Sequence, residues 1–169
     1  MKALRKIAVA GVVLALISLK TSCTGTASTS PDETTAVSSV LDDLHLAASE
    51  ANGDKYFGCF SEDAVFFGTD ATERWTIKEF RAYAEKRFNQ GKGWTYHVTE
   101  RNIFFADDQK TAWFDERLNN ENFGDCRGTG VLEKQENGWK IAQYNLAVPI
   151  PNDLAKEIVQ MIRAHDEQN

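Results

Sequence analysis

The chain has 169 residues, with 19 Lys and Arg against 25 Asp and Glu and a formal net charge of −6. This length suits one ordinary domain with a sizeable core. An acidic chain without clustered cations is poorly suited to bind a phosphate backbone, so nucleic acid is excluded as a partner.

The N-terminal 22 residues have the pattern of a signal peptide. Lys2, Arg5 and Lys6 precede an apolar run at 7–19, which is too short to span a bilayer comfortably. Cys23 follows directly, where a bacterial lipoprotein signal places its lipidated cysteine. The pattern predicts an exported protein, periplasmic or held at the outer membrane, whose only membrane contact is a lipid on Cys23.

Ordinary signal cleavage is the alternative to lipidation. Lys20 stands three residues before Cys23, where a lipoprotein signal usually carries an aliphatic residue. The small residues at 25–27 offer a cleavage site after Ala27. With lipidation, residues 1–22 are the signal peptide and residues 23–32 are a Ser/Thr-rich tether. With cleavage after Ala27, the first part of that tether is removed with the signal.

The rest of the chain predicts helices first and strands afterwards. The first helix carries an apolar stripe that includes Val37, Leu41 and Leu44, and Thr76 is placed to cap the third. Asn137-Gly138 is the turn of a closing hairpin. Helices are predicted at 33–52, 55–60 and 76–88, strands at 64–67, 94–105, 111–118, 127–136 and 139–148, and a final apolar-striped helix within 151–169.

This order of elements resembles the SnoaL-like branch of the nuclear transport factor 2-like superfamily over residues 34–149. The resemblance rests on the acidic turn at 61–63 before an apolar strand, on Trp75 before the third helix, and on the closing hairpin with Trp139. It implies an α+β cone over residues 33–150, in which a curved antiparallel sheet wraps around N-terminal helices and leaves a pocket. Function is less constrained, because this fold hosts isomerases, cyclases, dehydratases, ligand binders and assembly modules.

Strand parity predicts the lining of that pocket in the last strand. Side chains on a strand alternate between faces, and Lys140 marks one face as the outer one. Ile141, Gln143 and Asn145 would then face inwards. Two carboxamides among apolar groups indicate either ordinary hydrogen-bonded polar groups or a partly polar cavity.

On the strand at 111–118, parity alone does not choose a face, and the resemblance favours Trp113, Asp115 and Arg117 as inward. Gly128 and Gly130 on the next strand then indicate a close approach of ligand or backbone, or a bend in the sheet. The other predicted lining residues are Tyr56, Phe60, Trp75, Gln143 and Asn145.

Asp115 is the predicted catalytic residue. A carboxylate in a largely apolar pocket suits a general base, although pairing with Arg117 would favour a clamp for a polar ligand. An exposed salt bridge between the two is the remaining interpretation. The predicted function is small-molecule binding, with isomerase or lyase chemistry as an extension, and the alternative is a non-catalytic envelope assembly module.

Metal and cofactor motifs are absent from the sequence. His45, His97 and His165 lie on separate elements without metal-ligand spacing, and we predict no bound metal and no cofactor. Cys59 and Cys126 could pair in an oxidising compartment or remain free buried thiols.

Two surface features complete the prediction. The loop at 68–75 either closes over the pocket or only orders the next helix. The outer sheet face would be too apolar for a monomer, so either the final helix or a second copy covers it, and we expect a homodimer. The apolar residues assigned to that face are Phe114, Leu118, Val131, Ala142, Tyr144 and Leu146.

Overall fold

The computed structural model describes residues 31–168, in which helices precede and follow one sheet. The predicted signal peptide and the lipidation of Cys23 lie outside these residues and stay predictions. None of the helices in the described range is long and apolar enough to cross a membrane. The elements are α1 (Pro31–Ser49), α2 (Gly53–Gly58), β1 (Phe60–Phe67), β2 (Arg74–Thr76), α3 (Ile77–Phe88), β3 (His97–Phe105), β4 (Thr111–Asn120), β5 (Gly124–Gln135), β6 (Gly138–Ala147) and α4 (Ala155–Asp166).

The strands form a curved sheet in the order β2-β1-β6-β5-β4-β3. Neighbouring strands are antiparallel except β1 and β6, which run parallel. Helices α1, α2 and α3 contact this sheet, and the core lies between them and its inner face. The predicted α+β fold with N-terminal helices and a curved sheet is therefore confirmed.

Local sequence explains the helix positions well. Val37, Leu41 and Leu44 are buried in α1, as their spacing predicts. Thr76 caps α3 through a capping box, in which its hydroxyl accepts from the Glu79 N–H and the Glu79 carboxylate accepts from the Thr76 N–H. The acidic turn expected at 61–63 belongs instead to β1, where pairing with β6 is interrupted.

A β-bulge in β6 reverses the faces of its second half. Leu132 pairs with Ile141, but Val131 pairs with Gln143, so Ala142 is an extra residue on β6. Ile141 faces the core as expected, whereas Gln143 beyond the bulge is exposed.

The prediction that Gln143 and Asn145 face inwards is therefore wrong. Tyr144 and Leu146 take the inner positions and are buried, while Asn145 is only half-buried on the outer face. A parity count from Lys140 fails here because one inserted residue shifts every later side chain to the opposite face.

The inward assignment of β4 is also wrong. Phe114, Glu116 and Leu118 are buried, together with Ala112, and they face the helices. Burying this set removes three apolar side chains from water, which outweighs any local preference for the opposite face. The other face of β4 carries Trp113, which is 45% exposed, half-buried Asp115 and exposed Arg117.

Gly128 and Gly130 do lie on the buried side of β5, and a close approach of protein atoms explains both. A Cβ on Gly128 would lie 2.5 Å from the Tyr144 hydroxyl oxygen. A Cβ on Gly130 would collide with the backbone carbonyl of Gln143 at the bulge. The space at these glycines is filled by Tyr144 and by strand β6.

The predicted outer apolar patch is wrong for most of its members, because Phe114, Leu118, Tyr144 and Leu146 belong to the core. The sheet face that points away from the helices, here called the outer face, instead presents a smaller stacked pair. Phe104 and Trp113 are 46% and 45% exposed and their ring centroids lie 5.9 Å apart. Helix α4 has no buried residue, so its apolar stripe does not enter the core of the described domain.

Both body cysteines are free and buried. Burial raises the pKa of the Cys59 thiol to about 11, with a smaller contribution from the negative charge of Asp43. Burial also raises the pKa of Cys126. Of the two alternatives left open by the sequence, the structure contains free thiols.

Candidate ligand cleft and buried histidine network

An open cleft of about 360 Å³, here called the aromatic cleft, lies at one end of the cone. It is bounded by β1, α3 and the loops before β3 and before β5. Half of its lining residues carry aromatic rings, which is typical of small-molecule sites. They are Phe66, Gly68, Thr69, Glu73, Trp75, Phe80, Tyr83, Arg87, Trp94, Tyr96, Asn120, Asn122, Phe123 and Leu146.

Five rings in this region are nearly parallel. Phe66 and Phe80 stack with centroids 3.8 Å apart, and the planes of Trp75 and Phe80 differ by 8°. Towards the core, the ring planes of Tyr144 and Phe66 differ by 5°. Towards the solvent, the ring planes of Tyr83 and Trp75 differ by 27°. The series therefore runs from a buried tyrosine to one that is 47% exposed at the rim. A flat ligand can continue this stack.

A small cavity of about 20 Å³, here called the deep chamber, adjoins the aromatic cleft. Phe66, Trp94, Tyr96 and Leu146 line both spaces. This volume suits one water or one small polar group. The chamber is also lined by Leu44, His45, Ala48, Tyr56 and Tyr144.

Helix α1 brings three polar side chains to one place, because Ser38, Asp42 and His45 are four and three residues apart and so share a face. From the sheet, Arg101 of β3 and Glu116 of β4 are direct cross-strand partners. These five residues meet between α1 and the sheet, and they are called the Glu116 network below.

The carboxylate of Glu116 is fully buried and holds two partners. Its Oε2 lies 2.9 Å from Nε2 of His45, and its Oε1 accepts from Nε of Arg101 at 2.6 Å. The side chains of His45 and Arg101 are only 11% and 10% exposed. A buried charge persists only with such partners, and removing one leaves an uncompensated charge.

Arg101 ties the network to α1. Its Nη1 donates to the Ser38 carbonyl at 3.0 Å, to the Ser38 hydroxyl at 2.7 Å and to the Asp42 carboxylate at 2.7 Å. Its Nη2 is buried and finds no hydrogen-bond partner within the described residues. Asp42 is 67% exposed, so the network extends from solvent to the wall of the deep chamber.

The tyrosines near the chamber are held as neutral phenols. Burial raises the pKa of Tyr144 well above its usual value, and the negative charge of Glu116 raises it further. Burial likewise raises the pKa of Tyr56, and it raises the pKa of Tyr96 to about 12. These hydroxyls are therefore hydrogen-bond donors at ordinary pH.

The network fixes the role of one ring nitrogen of His45. The carboxylate of Glu116, beside the guanidinium of Arg101, can only accept, so Nε2 of His45 donates to it, and in the neutral form of the ring the lone pair is then on Nδ1. A neutral imidazole oriented by a carboxylate is a common general base. The arrangement can therefore remove a proton from a group in the deep chamber, directly or through one water.

The residues predicted to form the site are divided by the structure. Trp75 lines the aromatic cleft, and Tyr56 lines the deep chamber. Phe60 packs against the ring of Tyr56. The five others, Trp113, Asp115, Arg117, Gln143 and Asn145, lie on the outer face away from both spaces.

Asp115 and Arg117 do not form the pair considered from the sequence. Asp115 accepts from the Asn102 amide at 3.1 Å, and Arg117 lies 3.7 Å from the Glu100 carboxylate. Both interactions are solvent-accessible and contribute little to stability. An outer-face position also removes the apolar surroundings on which the prediction of a base at Asp115 depends.

Sequence reasoning missed His45, Arg101, Glu116 and Tyr144. A usable signal was Glu116 itself, because it shares a face with Ala112, Phe114 and Leu118 and is the only charge there. A lone carboxylate on an apolar strand face indicates a buried partner.

The loop at 68–75 contributes to the cleft and also orders α3. Gly68, Thr69, Glu73 and Trp75 line the cleft, and Thr76 directly after them caps the helix. A Cβ on Gly68 would collide with a carboxylate oxygen of Glu73, so any larger residue there would displace the Glu73 side chain. The loop therefore does more than order the next helix, and its closing over the pocket stays a prediction.

Comparison with known proteins agrees with the fold described above. The sequence profile of the SnoaL-like domain matches residues 37–151, more than half of the chain. The chain belongs to the SnoaL-like domain family. No curated protein matches it significantly.

Within residues 31–168, no cluster of three or more His, Cys, Asp or Glu side chains could hold a metal ion.

Solved structures similar to this SnoaL-like protein share its fold at low identity. A candidate aromatic ring hydroxylase from Novosphingobium aromaticivorans is 16% identical, with a TM-score of 0.62 over 73% of this chain and 94% of that one. An NTF2-like protein of unknown function from Pseudomonas putida is 12% identical, with a TM-score of 0.59 over 72% and 89%. A candidate calcium/calmodulin dependent protein kinase II association domain from Xanthomonas campestris is 21% identical, with a TM-score of 0.51 over 69% and 86%.

Proposed function

We propose that this SnoaL-like protein binds a small, largely apolar molecule in the aromatic cleft and that His45 acts on it as a general base. The observation that carries the proposal is that His45 lines the deep chamber, which shares four lining residues with the aromatic cleft, while its Nε2 lies 2.9 Å from Glu116. Family membership supports a ligand site but does not choose a reaction.

The surroundings of His45 favour proton transfer. The chamber is otherwise lined by apolar and aromatic side chains, so one small group of the ligand that enters it takes the place of about one water and strengthens the polar interactions that remain. Glu116 stabilises the imidazolium that forms when Nδ1 takes a proton. Tyr144 lines the same chamber as a neutral phenol, and its hydroxyl is the donor that we assign to an oxygen that gains charge in the same step.

The reaction class that fits is proton abstraction from carbon, or from a water that attacks the ligand. Abstraction from carbon leads to isomerisation or elimination, and attack of the water leads to hydration or hydrolysis, and neither route needs a cofactor. Arg101 and Asp42 are positioning residues in this scheme. Arg101 holds Glu116, Asp42 holds Arg101, and neither residue lines the chamber.

The test uses 5-nitrobenzisoxazole, a flat bicyclic carbon acid. A base removes its C3 proton, the N–O bond breaks, and the coloured product is 2-cyano-4-nitrophenolate. We expect the wild-type protein to accelerate this elimination over buffer, and His45→Gln to lower the rate about 100-fold, the usual scale of general-base catalysis. The amide of the substituted side chain can still donate to Glu116, so folding, followed by circular dichroism, should be preserved.

Asp115→Ala is the matched control, because it removes the carboxylate that the sequence favoured as a base. The rate should stay within about twofold of wild type, since Asp115 lies on the outer face. Equal rates for wild type and His45→Gln would reject His45 as the base. A loss confined to Asp115→Ala would restore the site predicted from sequence.

A non-catalytic assembly role is the second candidate, and the outer face favours it. Phe104 and Trp113 form an exposed stacked pair, and Val131 extends the same row across the sheet. Two copies that bury these rows against each other would form a two-fold dimer. Such a dimer leaves the aromatic cleft free, so assembly and ligand binding are compatible.

A further inference from the structure

We infer that the aromatic cleft takes a flat aromatic anion, whose negative group is bound by Arg87 at the rim. The inference rests on the aromatic cleft being the ligand site proposed above, and it adds the charge and the orientation of the ligand. It follows from three features: Arg87 has no ion pair within residues 31–168, Glu73 hydrogen-bonds within its own loop, and the buried carboxylate of Glu116 lies beyond the inner end of the cleft.

Among the described residues, Arg87 is the one cationic side chain that lines the aromatic cleft. Its guanidinium lies over the ring of Trp94, with Cζ 5.6 Å from the ring centroid, so stacking on a second lining residue restricts its position. No carboxylate within residues 31–168 forms an ion pair with it, and its Nη2 reaches the Gly93 carbonyl only at 3.5 Å. Its forked donors are thus available for a carboxylate or sulfonate.

Glu73, the one carboxylate that the described part of the chain contributes to the lining, does not satisfy Arg87. Its Oε2 accepts from the backbone N–H of Asp70 at 3.2 Å, and its side chain packs on Gly68 within the same loop. The two charged residues of the rim are therefore engaged differently. Glu73 is turned into its own loop, and Arg87 is held against the cleft wall.

The inner end sets the orientation. Glu116 lies just beyond the deep chamber, where it contacts His45. Its cationic partner, Arg101, also binds the carboxylate of Asp42. An anionic group at that end would meet a buried carboxylate whose cationic partner is already engaged, which is unfavourable in a poorly solvated site. The anion therefore stays at Arg87, and the uncharged end of the ring system points towards His45.

Two fluorescent probes that differ in one group test this. 8-Anilinonaphthalene-1-sulfonate and N-phenyl-1-naphthylamine share a flat naphthalene ring that carries an anilino group, but only the first carries a sulfonate. We expect Arg87→Gln to weaken the sulfonate probe about five- to tenfold and the neutral probe less than about twofold, since a charge-assisted contact at an exposed rim is partly screened. Added salt should weaken the sulfonate probe selectively.

Arg81→Gln is the matched control. Arg81 lies on the same helix, but it pairs with Asp54 and Glu85 and does not line the cleft, so neither probe should respond. Trp75→Leu should weaken both probes, which places them in the aromatic cleft. If wild type binds both probes and Arg87→Gln affects them equally or not at all, the anion site is rejected while the ligand cleft stands. If wild type binds neither probe, both the cleft function and this inference are rejected.

Discussion

The inner and outer faces of the sheet differ most clearly at two neighbouring carboxylates of β4. Glu116 is fully buried on the inner face and holds His45 and Arg101 at hydrogen-bond distance. Asp115, one residue earlier, is half-buried on the outer face and meets only the Asn102 amide. Two consecutive acidic residues of one strand therefore have different surroundings. The face, and not the residue type, decides which of them is buried with hydrogen-bonded partners.

The comparison also explains where stability resides. Removing a buried carboxylate that has two charged or polar partners is costly, because these partners stay buried without water and without the group that they bind. An outer-face carboxylate stays hydrated and contributes little. Alterations to the inner face should consequently have larger effects than alterations to the outer face.

The largest expected effect is that of Glu116→Ala. Removing this carboxylate strands the guanidinium of Arg101 and the imidazole of His45, and we expect the free energy of unfolding to fall by about 3–5 kcal/mol. The matched outer-face variant, Asp115→Ala, should lower it by about 0–1 kcal/mol. Urea unfolding followed by circular dichroism measures both, and similar losses in the two variants would remove the distinction between the faces.

An intermediate effect is expected at high pH, because the tyrosines with raised pKa values lie on the inner side. The folded protein raises the pKa of Tyr96 to about 12, whereas the unfolded chain loses that proton near 10.0. Above this lower value the unfolded state binds fewer protons, so the free energy of unfolding should fall as the pH rises from 10 towards 12. Phenolate absorbance and circular dichroism, recorded together, report ionisation and unfolding.

Tyr96→Phe should move that loss of stability to higher pH, because it removes one ionisable phenol from the inner side. Tyr144, whose pKa is raised further by burial and by Glu116, should ionise only as the structure is lost. Complete phenolate formation in a protein with native circular dichroism would contradict this account of the inner face.

The smallest effect on stability is expected on the outer face, where an assembly role would show in mass instead. Trp113→Glu places a charge beside Phe104, and we expect it to convert a homodimer into a monomer at micromolar concentration with little change in the monomer's unfolding free energy. Light scattering of a soluble form lacking residues 1–30 measures this. A monomeric wild type would reject the dimer and leave the stacked pair as ordinary surface.

Local sequence was enough for the elements themselves. The apolar spacing of Val37, Leu41 and Leu44, the cap at Thr76 and the turn at Asn137-Gly138 each act within a few residues, so they predicted the helices and the closing hairpin correctly. The order of these elements was enough for the α+β fold and for its resemblance to SnoaL-like proteins. Trp75 was placed correctly in the cleft because it directly precedes the capped helix.

The candidate site was decided by the tertiary structure. Parity states only which residues share a face, and the choice of face depends on what packs against the strand. In β6 the extra residue Ala142 reverses that choice midway, which places Tyr144 rather than Gln143 inside. His45 and Glu116 are 71 residues apart in sequence, so their pairing exists only once α1 lies across the sheet.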